Sequence, residues 1–304
     1  MDYDYVVIGS GFGGSVAALR LAEKGYRVCV VECGKRFRAQ DFARTSWNLR
    51  KFLWAPQLRC YGIQRLYLLN DVLILGGSGV GGGSLVYGNT MLVPPRSFFT
   101  DPAWSGLESD WEQELLPFYV TAKKMLGVVP NPHLYQADEM LREYGDELGR
   151  QQYFKPTDVG VYFGEPGVTV PDPYFGGRGP ARTGCTQTGH CMVGCRDGGK
   201  NSLDRNYLYL AEQDGADIIP EHKVTDVEPL PDGGYVVTAE KVTDFMFRRK
   251  RRIKARGVVF AAGVLGTLDL LMKCRDRGHL PHLSDRLGHI VRTNSETLAG
   301  VTAK

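Results

Sequence analysis

An α/β fold built around a parallel sheet is what this sequence predicts, on three observations in its first 32 residues. Residues 3–8 (YDYVVI) are a short apolar run that ends at glycine, as a buried parallel strand does. Residues 15–24 carry Val16, Ala17, Leu19, Leu21 and Ala22 among polar side chains and stop at Gly25, the pattern of a helix closed by a left-handed cap. Residues 26–31 form a second apolar run that ends in Glu32. Strand, helix and strand in that order make a βαβ unit, and such units build parallel sheets.

The remaining elements are less regular. Residues 33–70 are rich in Arg, Phe, Trp and Tyr with no clean period, and 72–75 lead into a second glycine cluster, GGSGVGGGS, at 76–84. Helical spacing returns at 111–126 and 139–148, and residues 155–200, dense in Gly and Pro, are predicted irregular. A helix is expected over 203–211, and strands over 217–220, 223–229 and 235–238, the last pair joined by a turn at Asp232, Gly233 and Gly234. Residues 258–260 read as another buried strand, followed by AAGVLGT and a helix over 268–273.

Composition narrows the class. The 304 residues are 43% hydrophobic and 23% charged, ordinary for a globular chain, which excludes disorder, collagen and coiled coil as whole-chain readings. Length alone argues for about two domains. Glycine is the outlier at 38 residues, about one in eight against a usual one in fourteen. The net charge of +3 conceals one block: residues 248–256 (RRKRRIKAR) hold seven cations and no acid, leaving the rest of the chain acidic. That distribution gives no reason to expect nucleic-acid binding. Seven cysteines without a signal-peptide pattern read as reduced thiols, hence a cytoplasmic location, and no apolar run reaches the ~18 residues of a membrane span.

Gly9-Ser10-Gly11-Phe12-Gly13-Gly14 is G-x-G-x-x-G between a strand and a helix, with Glu32 ending the next strand 23 residues after Gly9. Gly9 permits the tight turn, Gly11 lets a pyrophosphate approach the backbone, and Gly14 lets helix and strand pack closely. The helix N-terminus offers N–H groups to phosphate, and Glu32 can accept from a ribose hydroxyl. This context marks a dinucleotide site for NAD or FAD. The second cluster lacks the Lys-Ser/Thr of a phosphate loop, and its bare backbone suits close approach to a flat ring.

GSGFGGS with Glu32, LGGSGVGGGSLVYGNT at 75–90, RTGCTQTGHCMVGCRDGGKNSLDRNYLYLAE at 182–212, VVFAAGVLGTLDLL at 258–271 and LPHLSDRLGHIVRTNSE at 280–296 together resemble the glucose–methanol–choline (GMC) oxidoreductases, and within them the cholesterol oxidase-like branch. The resemblance covers nearly the whole chain. It implies an FAD-binding Rossmann-like domain of GMC type from 1–95 and 196–304, with part of an α+β substrate domain at 96–195. Gly9 to Gly14 would then hold the FAD pyrophosphate and Glu32 the adenosine ribose. Gly79, Gly81, Gly82, Gly83, Ser84 and Asn89 would lie along the flavin, Val224 would meet the adenine through its backbone, and Ala262, Gly263 and Thr267 would form a later FAD-contacting turn. The absence of His between Gly76 and Pro95 implies a non-covalent flavin.

The implied reaction is oxidation of a sterol 3β-hydroxyl or another alcohol, hydride passing to flavin N5 and then to O2. Alternatives are a dehydrogenase with another acceptor and a catalytically incomplete flavin-binding fragment. None of His133, His190, His222, His279, His282 and His289 stands in the family's catalytic context, so no catalytic residue is assigned and the chain is expected to be the N-terminal part of a longer enzyme. His279 and His282, flanking a Leu-Pro turn, are expected at the surface. Cys185, Cys191 and Cys195 with Thr188 resemble a cluster-ligand run with one thiolate missing. An incomplete cluster or a metal with His190 is conceivable, and metal-free thiols are expected. The stretch Arg248 to Arg256, beside Phe245, Met246 and Phe247, suggests either a solvated hairpin strand or peripheral contact with an anionic membrane.

Overall fold

A computed structural model describes residues 1–104, 106–108, 110–244, 249–292 and 294. The N-terminal unit has the expected order: strand β1 (Tyr3–Ile8), helix α1 (Phe12–Ala22) and strand β2 (Val28–Val31). An antiparallel hairpin follows, β3 (Gln64–Leu69) and β4 (Val72–Gly77), then helices α2 (Trp111–Met125), α3 (Gln136–Glu147) and α4 (Tyr207–Gln213). The chain returns to the main sheet with β5 (Asp217–Ile219), β6 (His222–Pro229), β7 (Tyr235–Lys241) and β8 (Lys250–Phe260), and helix α5 (Gly263–Asp276) follows.

The main sheet has six strands in the order β5-β2-β1-β8-β7-β6. The first four are parallel neighbours, and β8, β7 and β6 form an antiparallel meander. β8 is shared between the two halves. Residues 250–255 pair with β7, and residues 255–260 pair with β1.

Period-two alternation fixes which side chains enter which core. Val7, Val28 and Val30 face Ala18 and Leu19 of α1 and Leu208 and Ala211 of α4. Val6, Ile8, Cys29 and Val31 face the other way, where Val227, Val237, Ile253 and Ala255 meet Leu270 and Cys274 of α5. α1 and α5 therefore lie on opposite faces, and each begins where its strand, β1 or β8, ends. Neighbouring parallel strands whose helices leave to opposite faces form the crevice where α/β sheets bind ligands.

Three differences from the sequence expectations have local causes. The strand expected at 258–260 begins at Lys250, because the cationic run alternates with Ile253 and Ala255, which point into the core. The helix expected at 203–211 is broken at Asn206, where the backbone leaves the helical region and the side-chain amide caps α4 by accepting from the Tyr207 N–H at 2.6 Å. The β3–β4 hairpin went unread because both of its faces are apolar. Its register sets Leu66 against Leu75 and Leu68 against Leu73, and all four are exposed. No helix among the described residues is long and apolar enough to cross a membrane.

Candidate functional site

The crevice is framed by the glycine turn after β1. Gly9 has φ of +98°, and a Cβ there would stand 2.4 Å from the carbonyl oxygen of Ala261, at the end of β8. A Cβ on Gly14 would stand 2.0 Å from the Gly9 oxygen, so helix and strand approach closely because no side chain intervenes. Gly11 and Gly13 differ: a Cβ on either would meet nothing within 4 Å. Their freedom is on the open side, in front of the α1 N-terminus. That terminus has neither a side-chain cap nor an acid in its first turn, so its N–H groups and dipole are available to an anion.

Glu32 is buried, and its carboxylate is a hub. Oε2 accepts from the Ser10 N–H at 3.0 Å and the Ser10 hydroxyl at 2.7 Å, and Oε1 accepts from the N–H groups of Gly34 at 2.8 Å and Gly79 at 3.4 Å. The Ser10 hydroxyl also accepts from the Gly81 N–H at 3.2 Å. One acid and one serine thus stitch the first glycine turn to the second cluster, and a ribose hydroxyl at Glu32 would share an acceptor already in use.

The second cluster packs on the protein's own backbone. A Cβ on Gly82, whose φ is +53°, would lie 2.6 Å from the Gly11 Cα. Gly79 and Gly81 also have positive φ, and Gly76 and Gly83 are free of close neighbours, with Arg65 at 3.7 Å and Phe12 at 3.8 Å. The Ser84 hydroxyl donates to the Gly81 carbonyl at 2.7 Å and accepts from the Leu203 N–H at 3.0 Å.

Asn89 is 1% exposed with φ of +66°, and neither its amide nitrogen nor its amide oxygen has a hydrogen-bond partner. Its carbonyl accepts from the Gly160 N–H at 3.1 Å, which fixes the backbone while leaving the amide to something else. Buried amides are normally paired, so an orphaned one calls for an explanation.

Val224 lies in the edge strand β6, buried in the second core, just before a register shift. The strand reaches the acid: the His222 N–H donates to the Glu32 carbonyl and that of Glu221 to the Gly34 carbonyl, both at 2.9 Å. Ala262, Gly263 and Thr267 form the start of α5, where the Thr267 hydroxyl accepts from the Ala262 N–H at 3.1 Å. The expected cofactor residues thus lie on the two glycine turns, at Glu32, at Asn89 beyond the second turn, on the strand beside Glu32 and at the start of α5.

Sequence reasoning missed two buried cations. Lys200 is 3% exposed, and its ammonium donates to the carbonyls of Leu85 at 3.1 Å, Tyr87 at 2.9 Å and Cys191 at 2.8 Å. Burial pushes its pKa down to about 8. Arg182, 1% exposed, donates to Asn201 at 3.0 Å and to the Pro180 carbonyl at 3.1 Å. Nothing in a lysine or arginine letter marks such burial, since both types are usually exposed.

Cys185, Cys191 and Cys195 line one cavity of about 130 Å³ with Thr188, His190 and Lys200. Among the described residues, the one group of three ligand-type atoms within 4.8 Å of one another is elsewhere: Asp226, Glu228 and His279. His279 departs from its expected surface position. It is half-buried, with Nδ1 2.9 Å from Asp226, which also pairs with Arg277 at 3.1 Å. The Arg277 guanidinium and the His279 imidazole already serve that carboxylate, so the group reads as a network closed on its own side chains.

The cationic strand is also paired. Arg249 meets Asp244 at 2.8 Å, Lys250 Glu240 at 3.7 Å, Arg252 Glu228 at 3.8 Å and Arg256 Asp4 at 3.4 Å. Phe245, Met246, Phe247 and Arg248 lie outside the described residues, as does most of the TNSE stretch.

Comparison with known proteins gives two family matches and several relatives. Residues 181–278 match the GMC oxidoreductase family and residues 4–47 an FAD binding domain. Over those residues the chain is similar to the GMC oxidoreductases and to FAD-binding domains. It is 56% identical, over 98% of its length, to a cholesterol oxidase of Mycobacterium tuberculosis, and 45% identical over 99% to a cholesterol oxidase of Acinetobacter baumannii. It covers 52% and 55% of those two proteins, so the chain spans about half the length of the curated relatives it matches. The crystal structure of pyridoxine 4-oxidase from Mesorbium loti superposes with a TM-score of 0.54 at 17% identity, over 88% of this chain and 51% of that one, and shows the shared fold. The FAD binding domain matched at 4–47 makes FAD the cofactor, and the open α1 N-terminus and the orphaned Asn89 amide fit such a group.

Proposed function

We propose that this chain forms the FAD-binding core of an enzyme that oxidises a sterol 3β-hydroxyl with O2 as the electron acceptor. The observation that carries the reading is the 56% identity, over nearly the whole chain, to a protein named cholesterol oxidase. The α1 N-terminus with Gly11 and Gly13 would bind the pyrophosphate, and Glu32 the adenosine ribose, with the Val224 backbone near the adenine. Gly83 and the Asn89 amide would face the flavin, and the turn Ala262–Gly263–Thr267 would close the other side. When bound, FAD supplies hydride acceptance at N5. This chain's residues bind and orient it and keep its surroundings dry. Residues 1–95 and 196–304 would form the FAD domain and 96–195 part of the substrate domain. The seven free thiols fit a reducing, cytoplasmic compartment.

A positioned base that takes the hydroxyl proton typically contributes about 10²–10⁴-fold. No histidine here occupies the family's position for it, so the 304 residues alone are expected to bind FAD without turning over a sterol. The test is to supply FAD and cholesterol to this chain and to a full-length relative, following peroxide and, separately, reduction of an artificial dye. Peroxide from the relative supports the oxidase reading, and dye reduction without peroxide favours a dehydrogenase. Turnover by the 304 residues at the relative's rate would place the base among residues regarded here as structural.

A further inference from the structure

We propose that Lys200 is a positioning residue for the flavin, acting through Asn89: its ammonium holds the chain that presents the Asn89 amide. The inference rests on the reading that FAD lies along Asn89, and it does not depend on the sterol. Asn89 is a non-glycine residue with φ of +66°. Asparagine tolerates that left-handed conformation, but the surroundings must select it.

Two restraints do so. On one side the Lys200 ammonium donates to the carbonyls of Leu85 at 3.1 Å and Tyr87 at 2.9 Å, four and two residues before Asn89. It also stands 4.7 Å from the centre of the Tyr87 ring. On the other side the Gly160 N–H donates to the Asn89 carbonyl at 3.1 Å, and the Met91 N–H donates to the Asp158 carbonyl at 2.8 Å. The two restraints are one assembly, because the backbone around Lys200 is strapped to the same stretch. The Asn201 N–H donates to the Gly160 carbonyl at 2.9 Å, the Tyr162 N–H donates to the Gly199 carbonyl at 2.8 Å, and Lys200 is bridged antiparallel to Val161. The third acceptor on the ammonium is the Cys191 carbonyl at 2.8 Å, and the Cys191 side chain lies beside the Asn89 amide. Lys200 thus grips both the chain before Asn89 and the residue next to its amide.

The chemistry of the ammonium points to position and not to contact. It has three N–H donors and no acceptor, and three carbonyls take all three, so none is left for a cofactor. A buried ammonium is costly to desolvate. The carbonyls offset that cost only while all three stay in place, so the charge locks their geometry. The Asn89 amide is the reverse case, buried with neither polar atom hydrogen-bonded. One residue spends its donors on the scaffold, and the other keeps its own for the ligand.

The test measures the FAD affinity of the 304-residue chain by quenching of flavin fluorescence, with no turnover required. Asn89→Gly should weaken binding several-fold, as loss of one hydrogen bond implies. Lys200→Ala should weaken it about tenfold. Because the lysine acts through the amide, adding Asn89→Gly to Lys200→Ala should cost less than about twofold more, whereas independent effects would multiply. Propylammonium replaces the atoms that Lys200→Ala removes, and the cavity of about 130 Å³ lined by Lys200 gives it room. It should tighten FAD binding by Lys200→Ala about fivefold and leave the double variant unchanged, a dependence on Asn89 that a merely structural lysine would not show. If Lys200→Ala loses the native circular dichroism, Lys200→Met, which keeps the length of the side chain, carries the same cycle with Asn89→Gly. Unchanged FAD affinity in the lysine variant, effects that multiply in the double variant, or rescue that persists without Asn89 would overturn the proposal. No FAD binding by the unsubstituted chain, or unchanged affinity in Asn89→Gly alone, would instead sink the reading that the flavin lies along Asn89, and the proposal with it.

Discussion

Two buried charges organise this molecule, and they are solvated in opposite ways. Glu32 is a carboxylate ringed by backbone N–H donors from Ser10, Gly34 and Gly79. Lys200 is an ammonium ringed by backbone carbonyls of Leu85, Tyr87 and Cys191. Each ties distant stretches of irregular chain together, and each replaces lost water mainly with backbone dipoles. They differ in what surrounds them. Glu32 ends a strand in a βαβ unit and fixes the relation between two glycine turns, whereas Lys200 sits among segments with no regular structure and fixes the chain that carries Asn89. A charge at the end of a regular element has a position that the element dictates, and a charge within irregular chain has one that only its own bonds dictate.

Glu32→Ala is expected to have the largest effect, because it leaves several buried N–H groups unpaired. Each costs about 1–3 kcal/mol, so the chain without FAD should lose roughly 3–5 kcal/mol in urea unfolding. FAD affinity should fall by roughly tenfold to a hundredfold, as loss of a charged hydrogen bond implies. If FAD affinity falls while the urea midpoint holds, Glu32 is a ligand contact and not a structural hub.

Lys200 should reveal itself through pH. Its folded pKa of about 8 lies below the unfolded value, so between those values the unfolded chain binds the extra proton. Its contribution to stability therefore rises as pH climbs from about 8 to about 10.5, by about 3 kcal/mol at most. Buried Tyr and Cys groups with raised pKa work in the opposite direction, so the measurement is the difference in pH dependence between wild type and Lys200→Met. Parallel curves would show that the ammonium is already solvated.

Ser10→Ala removes the hydroxyl that joins Glu32 to the Gly81 N–H, at an expected cost of about 1–2 kcal/mol. A loss as large as that of Glu32→Ala would make the serine, and not the acid, the joint between the two turns. The smallest effect on stability is expected from Asn89→Gly, which keeps the positive φ and deletes an amide without partners. Stability should change by less than about 1 kcal/mol, while FAD affinity falls several-fold, about the worth of one hydrogen bond. Loss of stability without loss of FAD affinity would place the amide away from the flavin.

These contrasts also show how far the sequence could be read. The βαβ unit, Glu32 at its end and the two glycine clusters were legible because strand and helix periods, caps and tight turns are local properties with fixed spacing. The β3–β4 hairpin was not, since two apolar faces erase the alternation that marks a strand. β8 was read only at its apolar end, because its cations mask two inward side chains.

By itself, then, the sequence determined the parallel half of the sheet, the position of the glycine turn before α1 and the resemblance to known oxidoreductases, because short-range spacing and residue identity carry that information. Tertiary structure alone decided that Gly82 meets Gly11, that Ser10 and Glu32 clamp two loops about seventy residues apart, that Asn89 is buried without partners and that Lys200 is a buried cation beside three thiols. Those facts are made by long-range packing of chain without periodicity, where burial and partner are set by what folds against a residue and not by its neighbours in sequence.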